Sequence, residues 1–193
     1  MHKSKIVQAL SLISVIAVCA VGSAGVAQAS PSEETPVERA NPGLSEEILE
    51  SLPEVVKNSD VRIDSSYEAG MPIVYPDGTP VPGQPERKAA AALSCGGTVY
   101  GSLATWGPVS TGSCGVFGHP GYERYYHWVK TGSLANGCVQ GKGFNSSATQ
   151  TWYSLSCGIQ NLGQAVPWGN VLASPATRAA STNPPVVFTA NWG

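Results

Sequence analysis

Acidic residues are confined almost entirely to one part of this chain. Twelve of its thirteen Asp and Glu residues lie between Glu33 and Glu86, and the last 105 residues contain only Glu123. The same last part contains all five tryptophans, all three phenylalanines and four of the five cysteines. Because a packed core is built from large apolar side chains, we expect residues 89–193 to form the folded domain. The scarcity of carboxylates also limits the chemistry available to that domain.

The N-terminus has the pattern of an export signal. Lys3 and Lys5 precede an apolar run, and Ala27-Gln28-Ala29 is a small-x-small cleavage site. An uncleaved membrane anchor is the alternative, since residues 6–27 are long enough to span a bilayer. The cleavage site and the polar sequence after it favour removal of residues 1–29. We therefore predict a secreted, extracellular protein that has no membrane contact once the signal is removed.

Residues 30–88 differ sharply in composition from the predicted domain. They carry five basic and twelve acidic residues, a formal charge of −7, and they contain no Trp, Phe or Cys. Such a sequence cannot bury much apolar surface, so we predict a largely disordered acidic segment with one short or kinked helix starting near Ser45 and interrupted by Pro53.

The dibasic pair Arg87-Lys88 is a candidate processing site at the end of this segment. Residues 30–88 are then a propeptide, and the alternative is an acidic spacer that is never removed. Residues 89–193 carry a formal charge of +3, so the segment and the domain should attract each other.

The four cysteines that follow the signal predict two disulfide bonds in an oxidising compartment. Cys95 and Cys114 are 19 residues apart, as are Cys138 and Cys157, and both spans end in Ser-Cys-Gly. This repetition favours the pairs Cys95–Cys114 and Cys138–Cys157 over the two other connectivities. Each bridge closes a short loop, which stabilises by about 3 kcal/mol in the chain-entropy account.

Short runs of alternating apolar and polar residues predict strands in the domain. No crossover helices separate them, so the fold class is all-β, a small antiparallel sandwich or barrel with two disulfides. We expect this domain to be monomeric. The strand candidates are residues 98–106, 122–130, 148–156, 166–173 and 185–192, and residues 175–180 are a helix candidate.

Several classes of catalytic chemistry are excluded by composition. Glycoside hydrolysis needs two carboxyl groups, and the domain has one. Phosphate-binding and dinucleotide-binding glycine motifs are absent from the sequence, as is a run of acids that could bind calcium. Four scattered basic residues give no nucleic-acid footprint. We predict a protein that is not an enzyme and that uses no cofactor and no metal.

Residues 118–128 concentrate aromatic and polar side chains. In a strand, alternate residues face opposite sides, and here both sets are aromatic, so at least one set should be exposed. This predicts a binding surface formed by Tyr122, Arg124, Tyr125, Tyr126, His127 and Trp128. Two alternatives remain: a purely structural aromatic strand, and a catalytic or zinc site using His119, Glu123 and His127.

The leading hypothesis is a non-enzymatic protein that binds an extracellular polysaccharide or protein through this aromatic surface. The alternative is a protease inhibitor that presents Lys142 in an exposed turn, or an antibacterial protein matured from its acidic precursor. The layout of signal, acidic segment and small disulfide-linked β domain is similar to that of many secreted bacterial proteins, bacteriocins and protease inhibitors among them. That likeness assigns no residues.

Overall fold

The computed structural model describes residues 34–85, 95–103, 105–183 and 186–193. The predicted signal with its cleavage site at Ala29, and the processing pair Arg87-Lys88, lie outside the described residues. The described residues belong to one compact unit. None of the helices in these ranges has the length and apolar character needed to cross a membrane.

The described chain contains three short helices and twelve strands. The helices are α1 (Pro36–Ala40), α2 (Glu46–Ser51) and α3 (Glu54–Lys57). The strands are β1 (Arg62–Ile63), β2 (Ile73–Val74), β3 (Gly97–Leu103), β4 (Ser110–Thr111), β5 (Gly115–Phe117), β6 (Glu123–Lys130), β7 (Gly137–Phe144), β8 (Gln150–Gly158), β9 (Gln160–Pro167), β10 (Val171–Ala173), β11 (Ala176–Ser181) and β12 (Phe188–Trp192).

The larger sheet is a nearly closed barrel with strand order β8-β7-β11-β3-β12-β6-β9, and β4 pairs with β11 beside this order. Neighbouring strands are antiparallel except β3 and β11. The edge strands β8 and β9 are consecutive in the chain, with only Ile159 between them. Asn161 of β9 donates a hydrogen bond to the Leu155 carbonyl of β8. The predicted all-β fold is confirmed.

The barrel encloses an aromatic core. Strand β6 alternates between the core and the surface, so Tyr126 and Trp128 point inward while Tyr125 and His127 lie outside. The Trp128 and Phe188 rings meet edge to face, with centroids 5.6 Å apart. The buried core residues are Val99, Tyr126, Trp128, Ala135, Val139, Leu155, Val166, Ala179, Phe188, Ala190 and Trp192.

Both predicted disulfides are present. Cys95 pairs with Cys114, and Cys138 pairs with Cys157. The second bridge joins directly opposed residues of the neighbouring strands β7 and β8, whose Cα atoms are 3.9 Å apart. The sequential connectivity expected from the repeated spacing is confirmed.

The acidic segment is ordered over residues 34–85, and the expectation of a largely disordered segment is wrong there. The short helix that was predicted near Ser45 is present as α2 and α3, and Pro53 separates the two. The segment also forms an apolar cluster with Leu172 of β10, which belongs to the C-terminal part of the chain. Its members are Val37, Leu52, Val56, Val61, Tyr67, Ile73, Val81 and Leu172.

The segment is ordered because it completes a second sheet. This sheet has the strand order β1-β10-β5-β2, so the two outer strands come from the segment and the two inner strands from the C-terminal part. Both outer strands are parallel to their neighbours. A segment that pairs with strands supplied by the rest of the chain needs less apolar surface of its own to fold. Composition alone did not reveal that partner.

Candidate functional site

The predicted binding surface on β6 is divided between the two faces of the strand. Tyr126 and Trp128 are fully buried, so they belong to the core and cannot contact a ligand at the surface. Arg124 is also buried, with 9 % of its surface exposed. Tyr125 is 67 % exposed and His127 is exposed beside it. Tyr122 is half-buried in the turn before the strand.

The alternative catalytic or zinc site is not assembled in this structure. His119, Glu123 and His127 are each exposed, and His119 lies outside β6, where its Nδ1 is 3.0 Å from the Pro120 carbonyl oxygen. Over the ranges that the structure describes, no three His, Cys, Asp or Glu side chains are grouped so that they could hold a metal ion.

A second aromatic surface lies on the outside of the barrel across β3, β11, β7 and β8. Val139 and Ala179 face the core, so the adjacent Gln140 and Arg178 face outward. The strand register places Tyr100 of β3 beside Arg178, and Tyr100 is 52 % exposed. We call this the tryptophan–arginine surface, and it consists of Tyr100, Trp106, Gln140, Trp152 and Arg178.

Arg178 is the centre of the tryptophan–arginine surface. Its guanidinium carbon lies 5.1 Å from the ring centroid of Trp106 and 4.7 Å from that of Trp152, which are both cation–π distances. Its Nε donates a hydrogen bond of 2.8 Å to Gln140 Oε1. Among the described residues its two terminal nitrogens have no hydrogen-bond partner. The side chain is therefore held in place while two of its donor groups stay free.

Sequence reasoning missed this surface because its residues are far apart in the chain. Trp106 follows β3, Trp152 lies in β8 and Arg178 lies in β11, which was expected to be a helix. The expected helix over residues 175–180 is wrong because this alanine-rich stretch lies between β7 and β3 in the sheet. Residues 176–181 do not alternate between apolar and polar side chains, so the only sequence feature that marked this stretch is the single charge of Arg178.

Lys142 lies inside β7 and is only 2 % exposed, so it is not in an exposed turn. Its Nζ donates hydrogen bonds of 2.6 Å to Asp64 Oδ1 and to Ser66 Oγ of the acidic segment. Burial alone would raise the pKa of the Asp64 carboxyl. The hydrogen bonds from Lys142 and Ser66 and the positive charge of Lys142 outweigh burial and hold that pKa below its usual range. The inhibitory loop proposed for Lys142 has no basis in this structure.

Arg124 lies among aromatic rings at one end of the barrel interior. Its guanidinium carbon is 4.9 Å from the Tyr126 centroid and 6.0 Å from that of Trp168. Burial raises the pKa of the Tyr126 hydroxyl to about 12, although the Arg124 charge acts in the opposite direction. That hydroxyl donates a hydrogen bond of 2.9 Å to the Lys142 carbonyl. Tyr126 therefore stays protonated at physiological pH and supports β7.

Comparison of the chain with known protein families, with curated proteins and with solved structures found no match.

Proposed function

We propose that this is a secreted, non-enzymatic binding protein that recognises an extracellular polysaccharide through the tryptophan–arginine surface. The observation that carries the proposal is the position of Arg178 between Trp106 and Trp152. The two disulfides are compatible with an oxidising, extracellular setting.

The surface combines the two kinds of contact that a sugar chain offers. The exposed ring surface of Trp106 and Tyr100 can pack against the apolar faces of sugar rings. The terminal nitrogens of Arg178 can donate paired hydrogen bonds to a carboxylate or phosphate carried by the sugar. Because Arg178 is already stacked and anchored to Gln140, little conformational entropy is lost on binding.

Charge supports an acidic polysaccharide over a neutral one. The part of the chain from residue 89 onward has a formal charge of +3. Its single acid, Glu123, is on β6, whereas Arg178 is on β11. An anionic polymer can therefore approach β11 without meeting a carboxylate of that part of the chain.

The test compares two exposed aromatic residues on different strands. Binding of purified acidic and neutral envelope polysaccharides is measured by affinity electrophoresis and calorimetry for Trp106→Ala and for Tyr125→Ala. We expect Trp106→Ala to weaken binding of the acidic polysaccharide about tenfold or more, as is typical when a central aromatic contact is removed. Tyr125→Ala should bind as the wild type does.

If Tyr125→Ala weakens binding and Trp106→Ala does not, the binding surface is the exposed face of β6, as the sequence predicted. If neither polysaccharide binds the wild type at all, the proposal is wrong and a protein target becomes the working hypothesis. Arg178→Gln completes the test, because it should reduce the preference for acidic over neutral polysaccharide.

A second candidate function, an antibacterial protein released from its precursor, is favoured by the contact between Asp64 and Lys142. Lys142 lies directly opposite Trp152 in the register of β7 and β8, and Asp64 of the segment binds Lys142. The segment therefore covers an area next to the tryptophan–arginine surface. Removal of residues 30–88 would then enlarge the basic, aromatic area. The check is growth inhibition of neighbouring bacteria by the protein before and after cleavage following Lys88, and equal activity of the two forms excludes this function.

A further inference from the structure

Arg124 is a buried cation without a counter-charge among the described residues. Nine-tenths of the residue is buried, and its Nε has no hydrogen-bond partner. No carboxylate of the described residues lies within 4 Å of its nitrogens. Lys142, the other buried base, has Asp64 at 2.6 Å. Arginine does not lose its proton in proteins, so the cost of burying this charge is lowered only by a partner.

The surrounding rings compensate this charge only in part. Tyr126 and Trp168 attract the guanidinium through its contact with their ring faces. The hydroxyls of Tyr122 and Tyr126 also hydrogen-bond with Arg124, but both hydroxyls are neutral and leave its charge without a counter-charge among the residues described. Buried polar atoms are normally hydrogen-bonded, so the unpartnered Nε shows that the surrounding residues do not satisfy all donors of Arg124.

Arg124 also lines two clefts beside β6. One has a volume of about 580 Å³ and is bordered by Thr98, His127 and Asn191. The other has a volume of about 420 Å³ and is bordered by Tyr125, His127 and the turn that carries Asp77. The Thr98 hydroxyl donates to Asn191 Oδ1 at 2.9 Å, which leaves the Asn191 amide nitrogen as a second donor. A ligand can therefore reach the neighbourhood of Arg124 from the surface.

We propose that Arg124 is the anion-binding residue of a site for a single carboxylate group, such as that of a sugar acid. A carboxylate accepts two parallel N–H bonds from a guanidinium. One buried positive charge balances one negative charge. A phosphate dianion would leave an uncompensated charge in a site with few other donors. This site is separate from the tryptophan–arginine surface, because Arg124 is on β6 and Arg178 is on β11.

The test observes the arginine side chains directly by NMR. Full-length, nitrogen-15-labelled protein is titrated with sodium acetate and with sodium D-glucuronate, with sodium chloride at equal ionic strength as the reference. The Nε–H signal of Arg124 is assigned by its loss in Arg124→Lys. We expect this signal to shift in a saturable way with both carboxylates and not with chloride, while the signal of the exposed Arg39 stays in place.

Variants separate binding from a structural role. Arg124→Lys should weaken carboxylate binding about tenfold, because a lysine cannot form the paired hydrogen bonds. The matched control, Arg39→Lys at an exposed arginine of α1, should leave the affinity unchanged. Asp77→Asn should strengthen binding about twofold, because it removes a negative charge from the rim of one cleft.

The proposal is overturned if the Arg124 signal does not move, or if folded Arg124→Lys binds carboxylates as the wild type does. A larger and tighter response to inorganic phosphate than to acetate overturns the assignment to a carboxylate. If Arg124→Lys does not fold, the signal is assigned by through-bond experiments and the wild-type titration still decides. Loss of polysaccharide binding in Trp106→Ala leaves this result untouched, so the two proposals fail independently.

Discussion

Lys142 and Asp64 form an ion pair across 78 residues of sequence, with 3 % of the lysine side chain and 16 % of the aspartate side chain exposed. Removing one partner of such a pair leaves a buried charge uncompensated, which costs far more than the pair itself contributes. The exposed pair Lys57–Glu54, at 3.3 Å, has no such consequence because water replaces the lost partner. Burial therefore decides what each pair contributes to stability.

We predict that Asp64→Asn lowers the free energy of unfolding by about 3 kcal/mol, because the buried Lys142 loses its counter-charge. Urea denaturation followed by tryptophan fluorescence measures this change. Glu54→Gln is the matched control and should change stability by less than about 0.5 kcal/mol. The double variant Asp64→Asn with Lys142→Met should recover most of the loss. Equal losses in the single and double variants would contradict the role of the lysine charge.

The division of the aromatic residues on β6 was predictable only in part. Alternation predicted that one set of side chains would be exposed, and it is, with Tyr125 at 67 %. The sequence could not indicate which set, because aromatic rings occupy both faces of the strand and large rings suit a small core as well as a binding surface. Neighbouring strands decide the matter, since Tyr126 packs near Trp192 with ring centroids 6.0 Å apart.

At the level of whole elements, β7 shows why the exposed turn expected at Lys142 is wrong. Lys142 lies in this strand between Gly141 and Gly143, where a Cβ atom would meet core side chains. A Cβ atom on Gly141 would lie 3.0 Å from a ring carbon of Tyr126, and one on Gly137 would overlap the Phe188 ring. These glycines make room for aromatic side chains of other strands, and nothing within β7 itself reveals those partners.

The close approach of Phe188 to Gly137 gives a prediction for this strand. Gly137→Ala should destabilise the protein by about 2 kcal/mol, because Phe188 is fully buried against Trp128 and cannot easily move. Thermal unfolding measured by circular dichroism provides the check. Ser154→Ala, an exposed change on the neighbouring strand β8, should have little effect.

A second variant identifies the cause of the Gly137→Ala effect. Adding Phe188→Leu to Gly137→Ala should restore part of the lost stability if the clash with the ring is responsible. No recovery would indicate that the backbone of β7, and not the core, limits the substitution.

At the scale of the whole molecule, the described residues form one compact unit in which the acidic segment and the C-terminal part depend on each other. The segment supplies both outer strands of the smaller sheet and the counter-charge of Lys142. The C-terminal part supplies Leu172 of β10 to the apolar cluster of the segment. The sequence correctly indicated opposite charges in the two parts, but charge alone could not reveal strand pairing or a shared core.

We predict that a chain that begins at Ala89 is less stable than the full chain by at least about 3 kcal/mol, since it loses the Asp64 partner and uncovers Leu172. Dye binding to exposed apolar surface should increase, and an added peptide of residues 30–88 should reverse both changes. Unchanged stability and dye binding in the shortened chain would contradict this mutual dependence and identify the segment as a dispensable spacer.

The parallel pairing of β1 with β10 also has a consequence for the time course of folding. Arg62 pairs with Val171, so β1 cannot pair until almost the entire chain has been made, whereas β2 pairs with the earlier strand β5. At synthesis rates of about 5–20 residues per second, β1 waits roughly 5–20 s for its partner strand. Contacts so distant in sequence form slowly even then. During this interval the twelve carboxylates of residues 30–88 repel one another and keep the unpaired segment from aggregating.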